Sequence, residues 1–183
     1  HPAGEQGELV WDEFAHAIEY LVYAYLQQGA DNEAAAQLHR LQGTPRMEPT
    51  FKTAFHLAST QTRYALERRD WNAALKIEPR TPTYLDWDRF MWAEATARFG
   101  RGLGAAHLGK NEEVQLALTR LDELEGVARK AGEDLFARNI NVLELELAAW
   151  SAHAQGQEAK SIEIMRQAAE LEVATPKHAV TPG

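Results

Sequence analysis

Two amphipathic runs that meet at one glycine constrain this chain more than any other feature. From His16 to Leu41 it reads HAIEYLVYAYLQQGADNEAAAQLHRL. Ile18, Leu21, Val22 and Tyr25 recur at helical spacing before Gly29, and Ala34, Leu38 and Leu41 do so after it. Each run has an apolar stripe to bury, and the nearest surface that can bury it is the other run. Gly29 suits the left-handed conformation that ends a helix, and Asp31 stands where its side-chain oxygen would cap the next one. The stretch is a predicted helical hairpin.

The other periodic segments also fit a 3.6-residue repeat and none alternates over strand length, which predicts an all-α chain of about eight helices in four antiparallel pairs. The expected helices run from about Glu8 to Gln28, Asn32 to Gln42, Thr50 to Arg69, Trp71 to Glu78, Arg89 to Leu108, Glu112 to Lys130, Asp134 to Gln155 and Gln157 to Ala174. They give hairpins at about 8–43, 50–79, 89–131 and 134–175 in a single domain, 1–183, with His1 to Gly7 as a mobile lead-in. Trp11, Phe14, Ile18, Leu21 and Tyr25 mark the expected buried stripe of the first helix. Asp70 is the expected cap of the fourth, and Pro79 with Pro82 closes its pair, since neither donates a helical hydrogen bond. The connection 80–88 (RTPTYLDWD) is too apolar for a free linker and is expected to pack back on the helices. Gly102, Ala105 and Ala106 provide one side of the fifth helix along which a neighbour can come close.

The turns at Gly29, Arg69, Gly109 and Gly156 lie 40, 40 and 47 residues apart, and recurrence at a near-fixed period marks a helical array. The order of residues in the first hairpin resembles the tetratricopeptide (TPR) repeat, with Leu21, Val22, Tyr25, Gly29, Ala34, Leu38 and Leu41 at the patterned places; Val22 stands where the family favours a small residue. The third hairpin holds Gly102, Gly109, Val114, Leu118 and Leu121 at those places, and the fourth Ala149, Ala152, Gly156, Ser161, Met165 and Ala168. The second, with Thr62, Ala65, Ala74 and Glu78, departs furthest. These periods exceed the family's 34 or so residues, the excess lying in long helices and near Pro45 and Pro82.

The resemblance implies an α-α superhelix, a solenoid of about four hairpins, acting as a non-enzymatic scaffold for a protein or peptide partner. It also implies that the first helix of each pair supplies the ligand-facing concave wall. On this chain the wall would be His16, Glu19, Tyr20, Tyr23 and Gln27, then His56, Ser59, Thr60, Arg63 and Glu67, then Thr96, Phe99, Leu103 and His107, and finally Glu146, Leu147, Trp150 and His153. His16 and His56 share one repeat position. A wall of Tyr, Trp, Phe, Arg and His suits a peptide with aromatic or aliphatic anchors. The repeated Lys and Asn of the family's clamp for a terminal carboxylate are missing, Arg63 being the one strong cation.

Composition narrows the chemistry. The 183 residues include no cysteine, which removes disulfides, thiolate metal sites and cysteine nucleophiles and leaves the compartment open. A net charge of −8 opposes binding to nucleic acid or to anionic membranes, although seven basic residues face only four acidic ones between Thr44 and Arg80. No run of about 18 apolar residues and no charged-then-apolar leader occurs, so neither a membrane span nor an uncleaved signal peptide is expected.

No motif argues for catalysis. FGRGLG lies inside a helical pattern instead of between strand and helix, so close packing is expected and no dinucleotide site. Glu13 and His16 form a lone Glu-x-x-His and are expected on the surface; a metal bundle would need two such motifs. Ser59, Ser151 and Ser161 sit in no nucleophile elbow. Glu144 and Glu146 are expected on a solvated face, and the five tryptophans mostly in the core. No catalytic residue, cofactor or metal is therefore expected. The rival readings are a helical small-ligand receptor or enzyme with a site in the groove, and a structural spacer. The last helix carries Ile162, Ile164, Met165, Ala168, Ala169, Leu171 and Val173, too apolar for a terminal cap, so the chain is expected to be an internal piece of a longer repeat protein that pairs with a second copy in isolation.

Overall fold

Five helices of this protein end at residues that turn left-handed: Gly29, Arg69, Gly109, Gly132 and Gly156. Gly29 ends the first helix at φ 69°, where its amide donates to the Leu26 carbonyl at 3.0 Å and the Ala30 amide to the Tyr25 carbonyl at 2.9 Å. Arg69 does the same at φ 52°, despite a side chain that costs about 1–2 kcal/mol in that region. The computed structural model describes residues 9–177. Among these the protein is all-α: α1 (Glu13–Gln27), α2 (Asp31–Gln42), α3 (Phe51–Glu67), α4 (Trp71–Leu75), α5 (Met91–His107), α6 (Asn111–Lys130), α7 (Asp134–Ala154) and α8 (Glu158–Val173), with one 3-10 turn at Trp87–Arg89. Neighbours in sequence pack together, α1 on α2, α5 on α6 and α7 on α8, while α1, α3, α5 and α7 pack one after another.

Several boundaries differ from the sequence expectation. The lead-in His1 to Gly7 lies outside the described residues. The first helix begins five residues late because Val10 bridges to Met47: its amide donates to the Arg46 carbonyl and its carbonyl accepts from the Glu48 amide, both at 3.0 Å. Trp11 is consequently 65% exposed, and Leu21 is also exposed; the buried stripe of α1 is Ala15, Ile18, Glu19 and Val22. Asp31 caps nothing, since Ala30 holds the cap position and the Asp31 carboxylate accepts from Arg68 Nε at 2.8 Å. Thr50 caps α3 and Asp70 caps α4, accepting from the amides of Thr53 and Ala73 at 3.1 and 2.9 Å. The fourth helix stops at Leu75, short of Glu78, as the chain bends ahead of Pro79 and sends Ile77 into the core. The connection after it packs down: Leu85 and Trp87 are buried, and the Tyr84 hydroxyl accepts from the Met47 amide at 2.9 Å.

The core is thickest around α5, which touches α3, α4, α6 and α7. Its glycines permit this. A methyl group on Gly102 would fall 2.6 Å from Leu147 and 2.9 Å from Ala117, and one on Gly104 would fall 2.8 Å from both the Ala74 methyl and the Leu75 amide nitrogen and 2.9 Å from the Trp71 carbonyl oxygen. The opening turn of α5 also holds Glu94, which is fully buried. Arg120 of α6 grips it with two hydrogen bonds of 3.0 and 3.1 Å, Arg98 adds a third at 3.2 Å, and Arg80 reaches it from the connection at 3.5 Å. Three guanidinium groups on one carboxylate replace the hydration that burial removes.

Two glycines should respond oppositely to alanine. Gly104→Ala meets backbone atoms that have no rotamer to retreat into and should lower stability by about 1–3 kcal/mol. Gly126→Ala, in the interior of α6 with open space around it, should raise stability by about 0.5–1 kcal/mol. Urea unfolding followed by circular dichroism measures both.

Candidate functional site

The helices α3, α5 and α7 frame a groove of about 410 Å³. Each contributes side chains three or four residues apart, the spacing that keeps them on one helix face: Phe55, Ser59, Thr62 and Leu66 from α3, Trp92, Thr96 and Phe99 from α5, and Asn139, Val142, Leu143 and Glu146 from α7. Glu19 of α1 reaches in from one side. Glu172, Thr175 and Lys177, at and beyond the end of α8, close another. The floor is aromatic, with Phe55 and Trp92 meeting edge to face at 5.2 Å.

Polar groups converge on one wall. Glu19, 3% exposed, hydrogen-bonds His56 Nδ1 through Oε2 and accepts the Ser59 hydroxyl at 2.7 Å; its Oε1 stands 3.5 Å from Arg63 Nε without a hydrogen bond. His56 Nε2 continues the chain to His16 Nδ1 at 2.9 Å. Burial pushes the Glu19 carboxyl up, but the His56 hydrogen bond and charge, the Ser59 hydroxyl and Arg63 together hold it below the ordinary carboxylate range. Arg63 is fixed by Glu67 at 3.1 Å and lies over the Tyr23 ring at 5.3 Å, and Gln27 donates to the other Glu67 oxygen at 2.9 Å. Thr62, 5% exposed, has a hydroxyl with no hydrogen-bond partner.

The opposite wall behaves differently. Glu146 makes no hydrogen bond or ion pair with any described residue, and burial followed by the charge of Glu172 raises its pKa to about 6. Glu144 is raised for the same first reason, then by Asp122 and Glu125. The solvated face expected for these two carboxylates is a half-buried one.

The expected wall divides. Glu19, Ser59, Arg63, Glu67, Thr96, Phe99 and Glu146 line the groove, and Tyr20, Tyr23 and His56 join Glu19 and Arg63 around a small recess beside it. His16 is not a free surface residue: it is half-buried against His56, and Glu13 is paired with Lys52. Leu103, Leu147 and Thr60 are buried, Leu147 against Gly102, and form no part of an open wall. His107, Trp150 and His153 gather elsewhere. His107 lies flat on Trp71 at 3.7 Å and beside Trp150 at 4.7 Å, and His153 bonds Glu158 at 2.9 Å. Burial, then His153 and Arg69, lower the His107 pKa. Sequence reasoning missed Thr62 and the residues of α8; the spacing on α3 carries the first, and no pattern marks the second.

Among the described residues no group of three or more His, Asp or Glu is arranged to hold a metal ion, and no helix is long and apolar enough to cross a membrane. No protein-family model, curated protein or solved structure matches this chain.

The two glutamates should give opposite pH signatures. Glu19, lowered on folding, stabilises above the ordinary carboxylate pKa and loses that contribution as pH falls through its folded value. Glu19→Gln should therefore cost about 3–5 kcal/mol at pH 7, with the deficit shrinking in acid. Glu146, raised to about 6, is neutral in both states below pH 4.5, where it costs the fold nothing, and opposes folding increasingly as pH rises through 6. Glu146→Gln should gain up to about 2 kcal/mol at pH 7 and nothing at pH 4. Chemical denaturation at a series of pH values reads both.

Proposed function

We propose that this chain is a non-enzymatic binding module of TPR-like type, its helices stacked as antiparallel hairpins, and that the groove receives a peptide segment of a partner protein. The observation that carries this reading is the groove itself. An aromatic floor with a few converging polar groups is the composition of a recognition site, and it is lined by the first helices of the pairs, as the family resemblance implies. The recurrent left-handed turns at Gly29, Arg69, Gly109 and Gly156 and the successive packing of α1, α3, α5 and α7 support the repeat architecture. The buried His56 and Glu19 hold each other with Ser59, and no nucleophile is set against them in a strained turn, which favours positioning over chemistry.

Panning a random peptide library against the protein tests the reading. Enriched peptides should lose at least about tenfold in affinity to the double variant Arg63→Ala/Phe99→Ala, with helicity unchanged, and little to Trp150→Ala, which lies outside the groove. Equal affinity for the double variant would remove the groove from the argument. A small organic molecule seen bound in native mass spectrometry would replace the peptide with the small-ligand rival.

A further inference from the structure

We propose that the groove is selective for a basic residue: the peptide segment it receives places a lysine or arginine side chain against Glu146 and Glu172. This rests on the groove being a peptide site, and it follows from how the groove's charges are already used. Glu19 is occupied by His56 and Ser59, and Glu67 by Arg63 and Gln27. Arg63 is already placed between two carboxylates, Glu67 at 3.1 Å and Glu19 at 3.5 Å. Lys177 reaches only Glu172, at 3.9 Å, with both side chains more than half exposed. What remains is Glu146, half-buried with no partner among the described residues, and a Glu172 held only at its exposed end.

Each class of occupant meets that inventory differently. An acidic side chain would enter among the carboxylates of Glu19, Glu67, Glu146 and Glu172, with the groove's cations Arg63 and Lys177 each already beside one of them. A purely apolar one would complete the burial of Glu146 with no compensating charge, a costly arrangement. A lysine or arginine supplies the missing cation, and its methylene stem suits the floor of Phe99, Leu143 and Val142. One buried polar group independently calls for a ligand: Thr62 Oγ1, on a side chain more than nine-tenths buried, lines the groove without a hydrogen bond and can accept from a lysine or arginine N–H. The overall charge of −8 would steer a basic segment toward the protein.

A positional-scanning hexapeptide library, acetylated and amidated so that no terminus adds charge, tests this with the intact chain. At one position Lys or Arg should be preferred over Asp or Glu by about tenfold or more. The preference should fall severalfold in Glu146→Gln and in Glu172→Gln, and persist in Glu158→Gln, an exposed carboxylate outside the groove. Glu146→Gln removes an uncompensated charge, so its fold is not at risk. Peptides that lose affinity in Phe99→Ala but show no basic preference, or an acidic one, overturn the selectivity and leave the peptide groove standing. A basic preference unchanged in both glutamine variants overturns it too. If no peptide depends on Phe99, the groove and its selectivity fall together.

Discussion

The close approach of other helices to α5 is the constraint on which the remaining structure rests. Gly102 turns one side of α5 toward Ala117 and Leu147, and Gly100 and Gly104 turn the other toward Thr62, Ile77 and the backbone of α4. Helices that meet at such contacts lie closer than side chains of ordinary size allow, and the buried alanines at 93, 95, 97, 105 and 106 extend the effect along the helix. The width of the groove between α3 and α7 is therefore set from behind, by residues that never face it.

Buried charge is treated in two ways within this one framework. Glu94 and Glu19 are enclosed and escorted, the first by three arginines and the second by a histidine, a serine and an arginine nearby. Both tie elements together: Glu94 joins α5, α6 and the connection after α4, and Glu19 joins α1 to α3. Glu146 is only half-buried and has no such escort among the described residues. A fold that escorts Glu94 and Glu19 this closely leaves Glu144 and Glu146 raised by burial and by neighbouring carboxylates, and of these two Glu146 lines the groove.

Much of this was legible in the sequence because it follows from period. Helix existence, the turns at Gly29, Gly109 and Gly156, the cap at Asp70, and the tight packing of α5 all have local causes. The groove faces of α3 and α5 were partly legible for the same reason, since Ser59 and Arg63, and Thr96 and Phe99, recur at helical spacing. What was not legible depends on contacts between distant residues. The Val10 bridge to Met47 displaces the start of α1 and exposes Trp11. Arg68 draws Asp31 away from its cap. His107, Trp150 and His153 have the right period and the wrong neighbours, for His107 stacks on Trp71 and meets Trp150, which meets His153, in a separate cluster.

The hydrogen-bonded line from Glu19 through His56 to His16 has a direction. An ionised carboxylate only accepts, so the nitrogen of His56 that faces Glu19, Nδ1, carries a proton. That bond fixes how the His56 ring is turned and presents its Nε2 to His16. The carboxylate buried between α1 and α3 thus sets the partner offered to a half-exposed ring, 40 residues away in sequence from the ring that relays the instruction. The nitrogen resonances of His16 would report the ionisation of Glu19 without any probe entering the interior.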